Sequence, residues 1–130
     1  MKLSVRSDNA RRLGNGLVAH VQKVQAFRKE HGKLPQKPYL TYTDLVETTG
    51  AKLSLVGIGN FLEEIMVAIH GPDVPEAMRG LTLFVTDKSG RIDYDKADWR
   101  EINGTNSLQF RKAVLDHDWS GVEFVKAEAS

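Results

Sequence analysis

Apolar residues recur with helical spacing in two stretches of the chain. Between Ser7 and Glu30, Leu13, Leu17, Val21, Val24 and Phe27 fall at steps of 4, 4, 3 and 3, which puts them on one face of a helix. Ser7 or Asp8 is placed to cap its start, and Gly32 stands where a left-handed C′ residue would end it. Gly14 and Gly16 each weaken a helix by about 1 kcal/mol relative to Ala, so its firm part is expected to begin near Leu17. Residues 1 to 7 read as a loose basic lead-in.

In the second stretch Ile58, Phe61, Leu62, Ile65 and Ile69 recur at i, i+3, i+4, i+7 and i+11, with Ser54 as a natural N-cap and Gly71 as the stop. Gly57, Asn60, Glu63, Glu64 and Val67 share the opposite face. Two shorter elements flank this helix. Lys33 to Leu40 holds two prolines and is a connector, after which Thr41 and Asp44 form a reciprocal capping pair for a helix from Tyr42 to about Thr48, closed by Gly50. Beyond Pro72 and Pro75, Leu81 to Val85 is rich in strand formers, Asp87-Lys88-Ser89-Gly90 reads as a hairpin turn, and Arg91 begins a return strand. Ser107 opens a last short helix, and GVEFV near the end is expected to add an edge strand.

Charge changes this picture more than composition does. Residues 1 to 38 hold nine Lys/Arg against two acids, +7, while the remaining 92 hold nine against fifteen, −6. Such a split suggests that the N-terminal part meets something anionic or docks on an acidic surface. At 130 residues the chain suits one core, divided here into a basic arm and helix over 1–38 and a larger unit over 39–130. The absence of cysteine excludes disulfides, thiolate nucleophiles and sulfur-ligated zinc. With no apolar run of 18 residues and no signal core, the expectation is a soluble, cytoplasmic protein without a membrane partner.

The words TYTDLVETTG and, after a turn, VGIGNFL, followed by a strand and a glycine hairpin, resemble the C-terminal winged-helix domain of DNA alkyltransferases and alkyltransferase-like proteins over residues 41 to 92. That family carries a proline-cysteine-histidine-arginine word on its active-site strand, whereas residues 79 to 90 read RGLTLFVTDKSG. The resemblance therefore implies the scaffold and not the repair chemistry. A winged helix implies a second helix directed to the major groove and a wing on the backbone.

The expected fold class is α+β: a winged helix-turn-helix core with an N-terminal basic helix and a short C-terminal helix. Two functions fit it, both non-enzymatic. In the first, the protein binds nucleic acid, with duplex DNA as partner. Arg11, Arg12, Lys23, Arg28, Lys29, Lys33 and Lys37 of the arm, and Lys88 and Arg91 of the wing, would neutralise phosphates. Lys52, Ser54 and Asn60 would then meet the groove, where Asn can pair with adenine. A homodimer through the first helix would suit such a protein.

In the second, it is an interaction or inhibitor module whose acidic surface, Glu63, Glu64, Asp93, Asp95 and Asp98, grips a basic protein. Nucleic-acid binding is the first expectation and this the alternative, although Glu63 and Glu64 on the Ser54 helix would repel phosphates. No catalytic residue, metal or cofactor is assigned. The four histidines lack metal-site spacing, the acids around Asp93 lack the order of a calcium loop, and Gly57-Ile58-Gly59 lies inside an amphipathic helix and not after a strand.

Overall fold

A computed structural model describes residues 1–53, 57–86 and 107–127. These form an α+β fold built around one long helix, α1, Asp8–His31. Its N-cap Ser7 is extended and accepts a hydrogen bond from the Ala10 amide at 3.1 Å, and at its other end Gly32 takes φ 71° and donates to the Arg28 carbonyl. The helix runs unbroken through Gly14 and Gly16, so the later start expected from glycine's helix cost is overturned. Packing is the reason. A Cβ on Gly14 would stand 2.6 Å from the Phe124 ring and one on Gly16 2.2 Å from Thr49 Cγ2, so both glycines let neighbours approach the helix axis.

The lead-in is likewise not loose. Lys2–Val5 forms strand β1, paired in parallel with β4, Glu123–Lys126, in a register running from Lys2 opposite Glu123 to Val5 opposite Lys126. Leu3 and Val5 point into the core while Lys2 and Ser4 stay exposed, an alternation that flanking charges obscured.

Helix α2, Tyr42–Thr49, has the expected box: Thr41 Oγ1 accepts from the Asp44 amide at 3.1 Å and Asp44 Oδ2 from the Thr41 amide at 3.3 Å, and Gly50 closes it at φ 67°. Just before it, β2, Leu40–Thr41, pairs in parallel with β3, Val85–Thr86. The strand expected from Leu81 is shorter than the pattern suggested. Leu81–Phe84 is a 3₁₀ turn opened by a Leu83 amide bond to the Gly80 carbonyl, and all four of its residues are buried, so their composition reports burial and not extension. The hairpin turn at Asp87 and the return strand from Arg91 lie outside the described residues.

Helix α3, Ile58–Ile69, buries Ile58, Leu62, Ile65 and Ile69, the face its periodicity predicts. It begins behind Gly57 without a side-chain cap; Ser54, the expected cap, is outside the described residues. The last helix, α4, Ser107–Asp116, ends against α1. Gln25 donates to the Leu115 and His117 carbonyls, and Arg28 to the Leu115 carbonyl, so side chains of α1 satisfy the open end of α4.

Helices α2, α3 and α4 and the β1–β4 pair all pack on α1, and α2 and α3 each meet α1 far more than they meet each other. One apolar cluster runs through all of them, from Leu3 and Leu13 through Leu45, Leu62 and Phe84 to Trp119 and Phe124. Among the described residues no helix is long and apolar enough to cross a membrane.

A candidate interaction groove between strand β1 and helix α3

The two-stranded β1–β4 sheet has two outer edges, and the chain treats them differently. In the ladder the Glu123 amide donates to the Met1 carbonyl at 3.0 Å and the Ala127 amide to the Val5 carbonyl at 2.8 Å. Main-chain groups of Met1, Leu3 and Val5 therefore face β4, and those of Lys2, Ser4 and Arg6 face away. On the far side of β4, Asn15 of α1 pairs with Phe124 as a strand would: its Oδ1 accepts from the Phe124 amide at 2.7 Å and its Nδ2 donates to the Phe124 carbonyl at 3.0 Å.

On the β1 side, closure is partial. Glu64 reaches across from α3, where Oε1 accepts from the amides of Arg6 and Ser7, both at 2.9 Å, and Oε2 accepts from Ser7 Oγ at 2.8 Å. The carboxylate ends the strand and fixes the residue that caps α1. Upstream of that clasp, the main-chain groups of Lys2 and Ser4 pair with no other strand among the described residues.

This open edge forms one wall of a groove of about 480 Å³, lined by Ser4, Val5 and Arg6 on the strand and by Asn60, Glu63, Glu64 and Val67 on α3. Val67 is 70% exposed, more than any other large apolar side chain among the described residues. An exposed valine on a helix wall, facing unpaired strand amides and carbonyls, is a combination suited to holding an extended chain.

The residues expected to bind nucleic acid are not brought together here. Arg11 and Arg12 both hold Asp8, at 2.7 and 2.8 Å, and Arg28 holds Asp116 at 3.0 Å. Arg12 and Arg28 are sixteen residues apart on α1, about 24 Å along its axis, so they form no single patch. Lys23, Lys29, Lys33, Lys37 and Lys52 are exposed and make no ion pair among the described residues. Lys52 is tethered only through its main chain, which exchanges two bonds of 3.3 Å with the Asn9 carboxamide. Asn60 is exposed, but on a helix that carries no Lys or Arg.

Of the acidic set, Glu63 lines the groove and makes no ion pair among the described residues, while Glu64 is committed to the α1 cap, which removes it from an open acidic face. Ser54, Lys88, Arg91, Asp93, Asp95 and Asp98 lie outside the described residues. Sequence reasoning missed Ser4, Val5 and Arg6 because a two-residue apolar alternation is too short to stand out. Val67 was visible as an apolar residue on the polar face of α3.

His20, half-buried on α1, donates from Nε2 to the Pro38 carbonyl at 2.6 Å and ties the 32–39 connector to the helix. Desolvation lowers its pKa, Lys23 adds to that, and the Pro38 bond opposes it. His70 instead bonds the Met66 carbonyl one turn back on its own helix.

No family model, curated protein or solved structure matches the chain.

Proposed function

We propose that this protein is a non-enzymatic interaction module that takes an extended segment of a partner protein into the groove between β1 and α3. One observation carries the reading: among the described residues the outward main-chain groups of Lys2 and Ser4 pair with no other strand, and Ser4 lines a groove whose other wall bears the exposed Val67. Main-chain bonding to the edge would supply affinity, and the α3 wall would select side chains. Nucleic-acid binding through a winged helix-turn-helix draws less support. Its expected reading helix bears two glutamates and no base, and three of its arginines are engaged by Asp8 and Asp116.

The test is a peptide-display selection against the protein, with Val67→Arg as the counter-selected variant. Because Val67 is so exposed, the substitution should leave the fold intact. Selected peptides should bind the variant about tenfold or more weaker and should slow amide exchange at Lys2 and Ser4. Peptides that bind both proteins equally, or leave those two amides unprotected, would show that the groove is not the site.

A further inference from the structure

We infer that the segment received by this groove has the pattern acid, apolar, any, apolar, acid; the inference rests on the strand-addition reading above. The outward face of β1 carries Lys2, Ser4 and Arg6, and both cations are exposed with no ion pair among the described residues. A strand added at this edge would set one residue beside Ser4 and its second neighbours on either side beside Lys2 and Arg6. Acids four residues apart match the two cations directly. The second and fourth residues turn to the opposite face, that of Leu3 and Val5.

The groove beside Ser4 also presents Val67, which favours apolar side chains at these positions, and the carboxylates of Glu63 and Glu64, which disfavour acids not paired with Lys2 or Arg6. The pattern reads the same in both directions, so it holds for a parallel or an antiparallel segment. A second copy of β1 fits poorly, because an antiparallel pair centred on Ser4 sets Lys2 against the Arg6 of the other copy. Main-chain donation from β1 comes from the Lys2 and Ser4 amides, since the Arg6 amide is already held by Glu64, and this leaves selectivity to the side-chain pairs.

Two fluorescein-labelled peptides decide the matter by anisotropy: Gly-Ser-Glu-Val-Ser-Val-Glu-Ser-Gly and its counterpart with lysine in place of both glutamates. The glutamate peptide should bind at least tenfold tighter. The double variant Lys2→Glu, Arg6→Glu, which keeps the main-chain bond to Glu64, should reverse the preference. Ser4→Pro should abolish binding of both peptides, since the Ser4 amide faces away from β4 and its loss costs no internal ladder bond.

Equal binding of the two peptides, or a preference unchanged in the double variant, would overturn the acidic assignment. The strand-addition reading would survive that result if Ser4→Pro and Val67→Arg still abolished binding. Failure of both peptides at millimolar concentration would overturn strand addition, and the acidic pattern with it. Self-association in sedimentation velocity that Ser4→Pro abolishes would overturn the inference in favour of a second copy.

Discussion

Asp8 shows how a charged residue near a helix start can be spent locally. Its Oδ1 accepts from Arg11 Nε and Nη2, and its Oδ2 from Arg12 Nε, so two arginines of α1 fold back onto one carboxylate in the first turn. The hydrogen bonds from Arg12 and then Arg11 lower its pKa from the ordinary 3.8 to about 2, with desolvation opposing them. An NMR titration of the Asp8 carboxyl should find that value, and Arg12→Ala should move it back toward 3.8. The sign of the linkage follows. A depressed folded pKa means the contribution to stability is whole above 3.8 and is lost as pH falls from there to about 2. Because the cluster is solvent-exposed, salt should shrink the effect. A pKa unmoved by Arg12→Ala would mean the pair does not persist in solution. Glu64 differs, since its partners are two main-chain amides and a cap hydroxyl of another element.

At the scale of elements, the two glycines of α1 set a test of packing against propensity. Replacing Gly14 by Ala gains about 1 kcal/mol of helix propensity but drives a methyl into the fully buried Phe124 ring, an overpacking that costs about 1–3 kcal/mol. Gly59 of α3 has open space at its Cβ position, so Gly59→Ala should gain the propensity alone. In urea denaturation Gly14→Ala should therefore lower the midpoint and Gly59→Ala raise it; two increases would mean that Phe124 yields without cost.

The same contrast explains what could be read in advance. The cap of α2 and the buried face of α3 were legible because capping and amphipathic period are local. The Ser7 cap of α1 was legible too, but the unbroken run of that helix through Gly14 was not, because Gly14 packs against Phe124 of a strand 109 or more residues away in the chain. β1 was not legible for the same reason: four residues with two apolar positions become a strand only when Glu123–Lys126 lies beside them. The groove inherits that blindness, since one wall comes from β1, although the valine on the other wall was in plain view.

The whole molecule is organised by α1, which carries five of the nine basic residues of 1–38 on its surface and the centre of the core beneath it. Leu13, Leu17, Val18, Val21 and Val24 are buried from this one helix, against α2, α3, α4 and β4. Fully burying a Val or Leu side chain contributes about 1.5–3 kcal/mol, so five of them amount to about 10 kcal/mol. That is of the order of the entire stability of a small domain, about 5–15 kcal/mol. Removing residues 1–38 would also take β1 from β4, Gln25 and Arg28 from the end of α4, and Asn15 from the Phe124 edge. The chain from Tyr39 to Ser130 should consequently show no cooperative thermal transition by circular dichroism and a collapsed amide spectrum. Any loss of binding in that truncation would then report unfolding and not a lost basic arm. A dispersed spectrum with a cooperative transition would show instead that residues 39–130 hold a core of their own and that α1 is an appendage to it.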